Sequence, residues 1–144
     1  MLMPDVNVLV YAHRADEPSH VGYVRWLANL IDGPEPFALS VLVAVGFVRI
    51  VTSSKIYRVP TPLPTALAAV DLIVAHPNCR AVAPGADHWN RVADLCRATG
   101  AMGKMVADAQ HAALAIAEGC VFVTRDSDFS RFVPHGLRWQ HLSP

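Results

Sequence analysis

The chain has few lysines and no paired cysteines among its 144 residues. Lys55 and Lys104 are the only lysines, and all other basic residues are arginines. The three cysteines, Cys79, Cys96 and Cys120, lie far apart and form no C-x-x-C pattern. This spacing excludes a cysteine-rich zinc site and a disulfide framework, and it predicts reduced thiols in a cytoplasmic protein.

A strong net charge and a long apolar run are also missing. The formal net charge is +0, so any polyanion would have to bind a local patch. The longest uncharged run lies between Glu35 and Arg49 and is too short to span a bilayer. Asp5 stands where a signal peptide would carry basic residues, so we expect no targeting segment and no membrane contact. The hydrophobic content of 53% favours a partner that covers apolar surface.

Apolar runs and helix-capping residues alternate along the chain, and we find neither an internal repeat nor a low-complexity tract. Short runs typical of strands alternate with longer stretches typical of helices, which predicts one α/β domain over residues 1–144 with a parallel, helix-covered sheet. The predicted strands are 1–4, 37–40, 80–83, 120–124 and 137–142. The predicted helices are 6–15, 20–31, 41–51, 63–75, 88–99 and 104–118.

Four aspartates fall at the ends of these elements. Asp5 follows the first strand, Asp126 and Asp128 follow the apolar run CVFVT, and Asp108 lies in the first turns of the helix before that run. In an open α/β sheet, ligands gather beyond the carboxyl ends of the strands, so we expect the four to converge at one rim. Close carboxylates repel one another unless a cation neutralises them. Oxygen ligands of this kind suit Mg²⁺ or Mn²⁺ and favour phosphodiester hydrolysis.

Each aspartate also has an ordinary structural explanation. Asp126 and Asp128 flank Ser127 and could cap the short turn before Phe129. Asp5 could be the N-cap of the helix that follows it. Asp108 alone would be a solvated helix residue. Their joint placement at one rim favours the metal site.

Several motifs resemble those of PIN-domain proteins. They are PDVNVLVYA at the start, SVLVAVGFVRIVT in the middle and ADAQHAALAIAEGCVFVTRDSDFSRF near the end. The likeness covers nearly the whole chain and is greatest to the mycobacterial branch of the VapC-type toxin ribonucleases. The segment GLRWQHL resembles the final strand of that branch. The resemblance implies a three-layer α/β/α sandwich with a parallel central sheet. It also implies a metal-dependent endoribonuclease that pairs with a VapB-type antitoxin and forms a homodimer.

The resemblance assigns roles to particular residues. Asp5, Asp108 and Asp126 would be the main ligands of one or two Mg²⁺ or Mn²⁺ ions, and Asp128 an outer or second-metal ligand. Asn7 would support the site by hydrogen bonding, or it could cap its own helix. Thr124 matches a hydroxyl position near the metal.

The chain departs from the PIN pattern at one position. Most members carry a glutamate in the middle helix, and Gly46 stands there. The missing ligand leaves open how many metals bind. It also leaves an alternative function, a weakened PIN-like binding module or RNA-binding repressor.

Two more residues are candidates at the same rim. Arg49, three residues after Gly46, faces nearly the same way and could bind phosphate in a bidentate manner, or it could pair with one of the aspartates. Ser40 ends a strand at the rim and could bind the scissile phosphate, although a helix cap is the simpler explanation.

Overall fold

The structure is a computed structural model and describes all 144 residues. Five strands and six α-helices alternate along the chain, and a 3₁₀ segment precedes the last strand. Their bounds are β1 (Leu2–Pro4), α1 (Val6–His13), α2 (His20–Asp32), β2 (Phe37–Ser40), α3 (Val41–Val51), α4 (Leu63–Val74), β3 (Cys79–Val82), α5 (His88–Thr99), α6 (Lys104–Ala117), β4 (Val121–Thr124), the 3₁₀ segment (Ser127–His135) and β5 (Arg138–His141).

Every predicted helix and strand is present, with bounds that differ by a few residues at most. The capping signals explain this agreement. Asp5 is the N-cap of α1, and its side chain accepts a hydrogen bond from the Val6 N–H. Gly100, in the left-handed conformation, ends α5. The 3₁₀ segment was expected only as a short turn before Phe129, and the structure extends it to His135.

All paired strands are parallel. Strand β4 lies between β1 and β5, and β2 pairs with β3. Strands β1 and β2 lie side by side, so the three-stranded sheet and the two-stranded sheet form one central layer. Because the strands run in one direction, their carboxyl ends, marked by Pro4, Ser40 and Thr124, lie at one edge.

Helices cover both faces of this layer. On one face, Met3 and Phe122 pack against α5, α6 and the 3₁₀ segment. On the other, Leu39 and Val123 pack against α1 to α4. The three-layer α/β/α sandwich is therefore confirmed, with a core on each side of the sheet.

Two absences concern the chain as a whole. No helix is both long and apolar enough to cross a membrane. The cysteines form no disulfide, as their spacing predicted.

Candidate active site

A cleft of about 750 Å³ opens at the carboxyl edge of the sheet. Its walls come from the start of α1, the exposed side of α3, the first half of α6 and the turn after β4. The polar and charged side chains that line it include Asp5, Asn7, Glu17, Arg49, Lys104, Asp108, His111 and Asp126. Three of the four predicted aspartates therefore meet in one cleft.

Asp5 is the most buried carboxylate of the cleft, with 6% of its surface exposed. Its Oδ1 accepts from the Val6 N–H at 2.6 Å, and its Oδ2 accepts from the Thr124 hydroxyl at 2.6 Å and the Asn7 amide at 3.1 Å. Burial raises the pKa of Asp5 to about 6, against the lowering effect of the Thr124 hydrogen bond. The ionised Asp5 carboxylate therefore lacks enough nearby positive charge to offset its burial.

Thr124 and Asn7 hold Asp5 in place through hydrogen bonds to its Oδ2. Thr124 is fully buried, and its hydroxyl also accepts from the Asn7 amide at 3.2 Å and the Asp126 N–H at 3.0 Å. The Asn7 carbonyl accepts from the Arg125 N–H at 3.3 Å. Asn7 thus bridges the two segments of the site, and the cap of α1 is Asp5 rather than Asn7.

Asp108 and Asp126 differ in their electrostatic surroundings. Burial raises the pKa of Asp108, and the nearby Asp126 and Asp5 add to this effect. Burial also opposes ionisation of Asp126, but hydrogen bonds from Lys104 and from the Asp128 N–H outweigh it and lower the pKa of Asp126. Asp126 is therefore the carboxylate of the three that ionises most readily.

Asp128 and Ser40 lie outside the cleft lining. Asp128 is exposed, and its backbone N–H donates to Asp126 Oδ1 at 2.9 Å. The expectation that four aspartates line one rim is therefore met by three, because the turn directs Asp128 to solvent. Ser40 is buried and its hydroxyl accepts from the Leu42 and Val43 N–H groups at 3.1 and 3.4 Å, so it is the N-cap of α3.

Lys104 is the cleft residue that sequence reasoning missed. Its ammonium lies 2.5 Å from Asp126 Oδ2 and 3.6 Å from Asp108 Oδ2. Two signals could have found it: it is one of two lysines, and it stands four residues before Asp108 on the same helix. Its pairing with Asp126 spans 22 positions, and only the fold could show it.

Arg49 and Gly46 both line the cleft, as their spacing on α3 predicted. Arg49 is exposed and forms no ion pair, so the alternative in which it neutralises an aspartate is wrong. Glu17 also lines the cleft, where its Oε1 accepts from the Tyr57 hydroxyl at 2.7 Å.

Gly46 is a close-approach position between α1 and α3. A Cβ atom built on it would lie 2.9 Å from Val6 Cγ2. Valine is stiff at χ1, so this contact leaves little room for any larger residue. The glycine that stands in place of the PIN glutamate is therefore also a packing requirement.

His111 is a packed histidine at the floor of the cleft. Its ring stacks on Phe122 with centroids 6.0 Å apart, and its Nδ1 is buried without a hydrogen-bond partner. Burial lowers the pKa of His111, so the ring is neutral near pH 7.

The donor atoms of the cleft suit a hard divalent cation. Asp5, Asp108 and Asp126 offer carboxylate oxygens, and no thiol lines the cleft. The raised pKa of Asp5 and of Asp108 indicates a site that added positive charge would stabilise. As the side chains stand, no three of them are arranged to hold a metal ion, and Lys104 bridges Asp108 and Asp126.

Comparison with known proteins gives concordant matches. A family model described as PIN domain matches residues 2–133. Ribonuclease VapC43 of Mycobacterium tuberculosis is 40% identical over 141 residues, which cover 98% of this chain and 95% of that protein. The structure of Mycobacterium tuberculosis VapC20, a sarcin-ricin loop cleaving toxin, matches with a TM-score of 0.70 at 19% identity and covers 100% of both chains.

A complex of two proteins also matches. The structure of VapBC2 from Rickettsia felis, bound to a DNA fragment from their promoter, aligns with a TM-score of 0.67 at 21% identity, covering 99% of this chain and 98% of that one. At such identities, the solved structures establish the fold alone.

Proposed function

Because the chain belongs to the PIN-domain family, we propose that its acidic cleft cleaves RNA internally, as an endoribonuclease toxin of the VapC type. The observation that carries this function is the meeting of Asp5, Asp108 and Asp126 at the carboxyl edge of the sheet. The sequences of ribonuclease VapC43 and this chain align over almost their full lengths, which supports the same reaction class.

The three aspartates would hold a divalent cation, and we propose Mg²⁺, with Mn²⁺ as a substitute. When bound, such an ion supplies charge stabilisation for a phosphoryl group and a water of lowered pKa. Asp128, exposed beside Asp126, remains our candidate for an outer or second ligand. The presence of Gly46 instead of an acid favours a single ion with more of its waters retained.

The other residues of the cleft orient the carboxylates and the substrate. Thr124 and Asn7 fix Asp5 Oδ2, so the carboxylate does not have to reorganise when a cation arrives. Arg49 has no protein partner and can donate two parallel hydrogen bonds to one RNA phosphate. These contacts would place a phosphodiester beside the aspartates.

A VapB-type antitoxin is the expected protein partner, as in the VapBC2 complex of Rickettsia felis. The wall of the cleft opposite the aspartates supports such docking, because Val41, Val45 and Ile56 line it and are exposed. We also propose a homodimer, since Leu63, Leu67 and other apolar residues of α4 remain exposed in one chain. The cytoplasm, where RNA and a reducing environment coexist, is the proposed location.

The test is cleavage of total cellular RNA by the purified chain without antitoxin. We expect discrete new 5′ ends with Mg²⁺ or Mn²⁺, none with chelator, and none with Asp108→Asn. Asp32→Asn is the matched control, because Asp32 is an exposed aspartate at the end of α2 that forms no ion pair. Full activity in Asp108→Asn would overturn the site. No cleavage by a folded wild-type chain would favour the RNA-binding module.

A further inference from the structure

We propose that Lys104 is a built-in counter-cation that competes with the divalent ion for Asp126 and Asp108. The inference rests on the proposed function, because it concerns the same carboxylates. It adds that a divalent ion binds only when the Lys104 ammonium leaves. Lys104 thereby raises the concentration of divalent ion that the site requires.

Competition follows from the oxygen atoms that remain available. Asp126 Oδ1 accepts the Asp128 N–H, which leaves Oδ2 as the oxygen of Asp126 that the backbone does not occupy. Asp126 Oδ2 faces the cleft, and Lys104 Nζ is bound to it at 2.5 Å. One carboxylate oxygen cannot hold an ammonium and a divalent ion at their bonding distances together, because the two cations would repel each other strongly.

Helix stability does not explain why a lysine stands at this position. Lys104 is the first residue of α6, where the helix macrodipole disfavours a positive charge. Its pairing with Asp108 also has the weaker order, with the cation on the N-terminal side. The residue before it, Gly103, has φ +59° and ψ −126°, a conformation that glycine adopts most readily. The backbone conformation that favours glycine therefore lies directly before the lysine whose ammonium reaches the carboxylates.

The exchange is feasible because the lysine is largely exposed and the carboxylates are largely buried. The Lys104 side chain is 70% exposed, against 13% for Asp108 and 23% for Asp126. Its four-carbon stem can swing into solvent without disturbing the core. The ion pair therefore acts as a closed state of the site. The apparent affinity for metal equals the intrinsic affinity multiplied by the fraction of molecules in which the ion pair is broken.

The test is a titration of the metal-free chain with Mn²⁺ alone, with free Mn²⁺ measured by electron paramagnetic resonance. Lys104→Met keeps the length of the side chain and removes its charge, so we expect about tenfold tighter Mn²⁺ binding, as for loss of a charge-assisted hydrogen bond. Lys55→Met is the matched control. Lys55 is the only other lysine, is exposed and forms no ion pair, so its loss should leave the affinity unchanged.

A second measurement follows the lysine itself. Lysine labelled with ¹³C at Cε gives two side-chain signals, and Lys55→Arg assigns them. On addition of Mg²⁺, we expect the Lys104 signal to move toward that of an exposed lysine, while the Lys55 signal stays in place. An unmoved Lys104 signal at saturating Mg²⁺ would overturn the inference.

The outcomes separate this inference from the proposed function. If the wild-type chain binds Mn²⁺, Asp108→Asn does not, and Lys104→Met binds no more tightly than wild type, the competition is wrong and the metal site stands. If Mn²⁺ binds only to Lys104→Met, the competition is supported. If none of the variants binds Mn²⁺ at millimolar concentration, both are overturned.

Discussion

Thr124 donates a 2.6 Å hydrogen bond to Asp5 across 119 positions of the chain. It joins the ends of β1 and β4, which are neighbours in the parallel sheet. The same hydroxyl accepts from Asn7 and from the Asp126 N–H, so one buried oxygen links the two segments that supply the carboxylates. The position of Asp5 is therefore fixed by a network, which has measurable consequences.

Replacing Asp5 by Asn should change how stability depends on pH. The pKa of Asp5 rises from 3.8 to about 6 on folding, so the folded chain keeps a proton that the unfolded chain has lost. The free energy of unfolding then falls as pH rises from about 4 to about 6, by of the order of 3 kcal/mol. Asparagine does not titrate, so the Asp5→Asn variant does not lose this free energy of unfolding as pH rises. Urea unfolding of metal-free protein should show the variant gaining stability over wild type between pH 4 and pH 8.

The two chains carry the same other titrating groups, so their difference reports Asp5 together with its effect on the neighbouring Asp108. A stability difference that is equal at both pH values would contradict the raised pKa.

Replacing Thr124 by Val should raise the pH that cleavage requires. Valine keeps the shape but removes the hydroxyl whose hydrogen bond lowers the pKa of Asp5. We expect the pH at half-maximal RNA cleavage to move upward, together with a stability loss of about 1–3 kcal/mol from the unsatisfied polar groups. Thr124→Ser is the control, since it keeps the hydroxyl and should retain the wild-type pH profile. Identical pH profiles for the Val and Ser variants would count against the role of the hydroxyl.

Replacing Gly46 by Ala should destabilise the chain, although alanine usually favours a helix. The added Cβ would lie 2.9 Å from Val6 Cγ2, and overpacking of this kind costs about 1–3 kcal/mol. The variant Val6→Ala removes the opposing methyl groups. A double-mutant cycle from urea unfolding should therefore show favourable coupling between the two substitutions. Additive effects would mean that the helices separate freely at this point.

Replacing Arg49 by Gln should weaken RNA binding and reduce its salt dependence. Arg49 is exposed in the cleft and forms no ion pair, so its charge is free for one phosphate. The magnitude of the slope of log K against log salt should fall by roughly 0.7, the value for one phosphate contact on a single strand. Fluorescence anisotropy with single-stranded RNA in chelator measures binding without cleavage. Arg25→Gln, on the exposed side of α2, should keep the wild-type slope, and an equal change there would remove Arg49 from the interface.

The cleft aspartates were predictable because each stands at an element boundary that capping and apolar periodicity mark locally. Parallel strands then bring those boundaries to one edge, so Asp5, Asp108 and Asp126 were expected to meet. Asp128 was expected at the same edge, but the 3₁₀ segment that begins at Ser127 leaves its side chain in solvent.

Arg49 and Lys104 show a different limit. Their residue types were visible, but whether a charge has a partner depends on distances between segments far apart in sequence. Arg49 was considered as a partner of the aspartates and has none, whereas Lys104 was overlooked and has two.

By itself, the sequence determined the α/β class, nearly all element bounds and the residues of the carboxylate cluster, because caps, periodicity and short motifs act over a few residues. The tertiary structure decided which of those groups touch. It placed Thr124 on Asp5, Lys104 on Asp126 and Val6 against Gly46. Each contact depends on packing between elements that no local pattern encodes, and these contacts set the pKa values and the charge available to a metal ion.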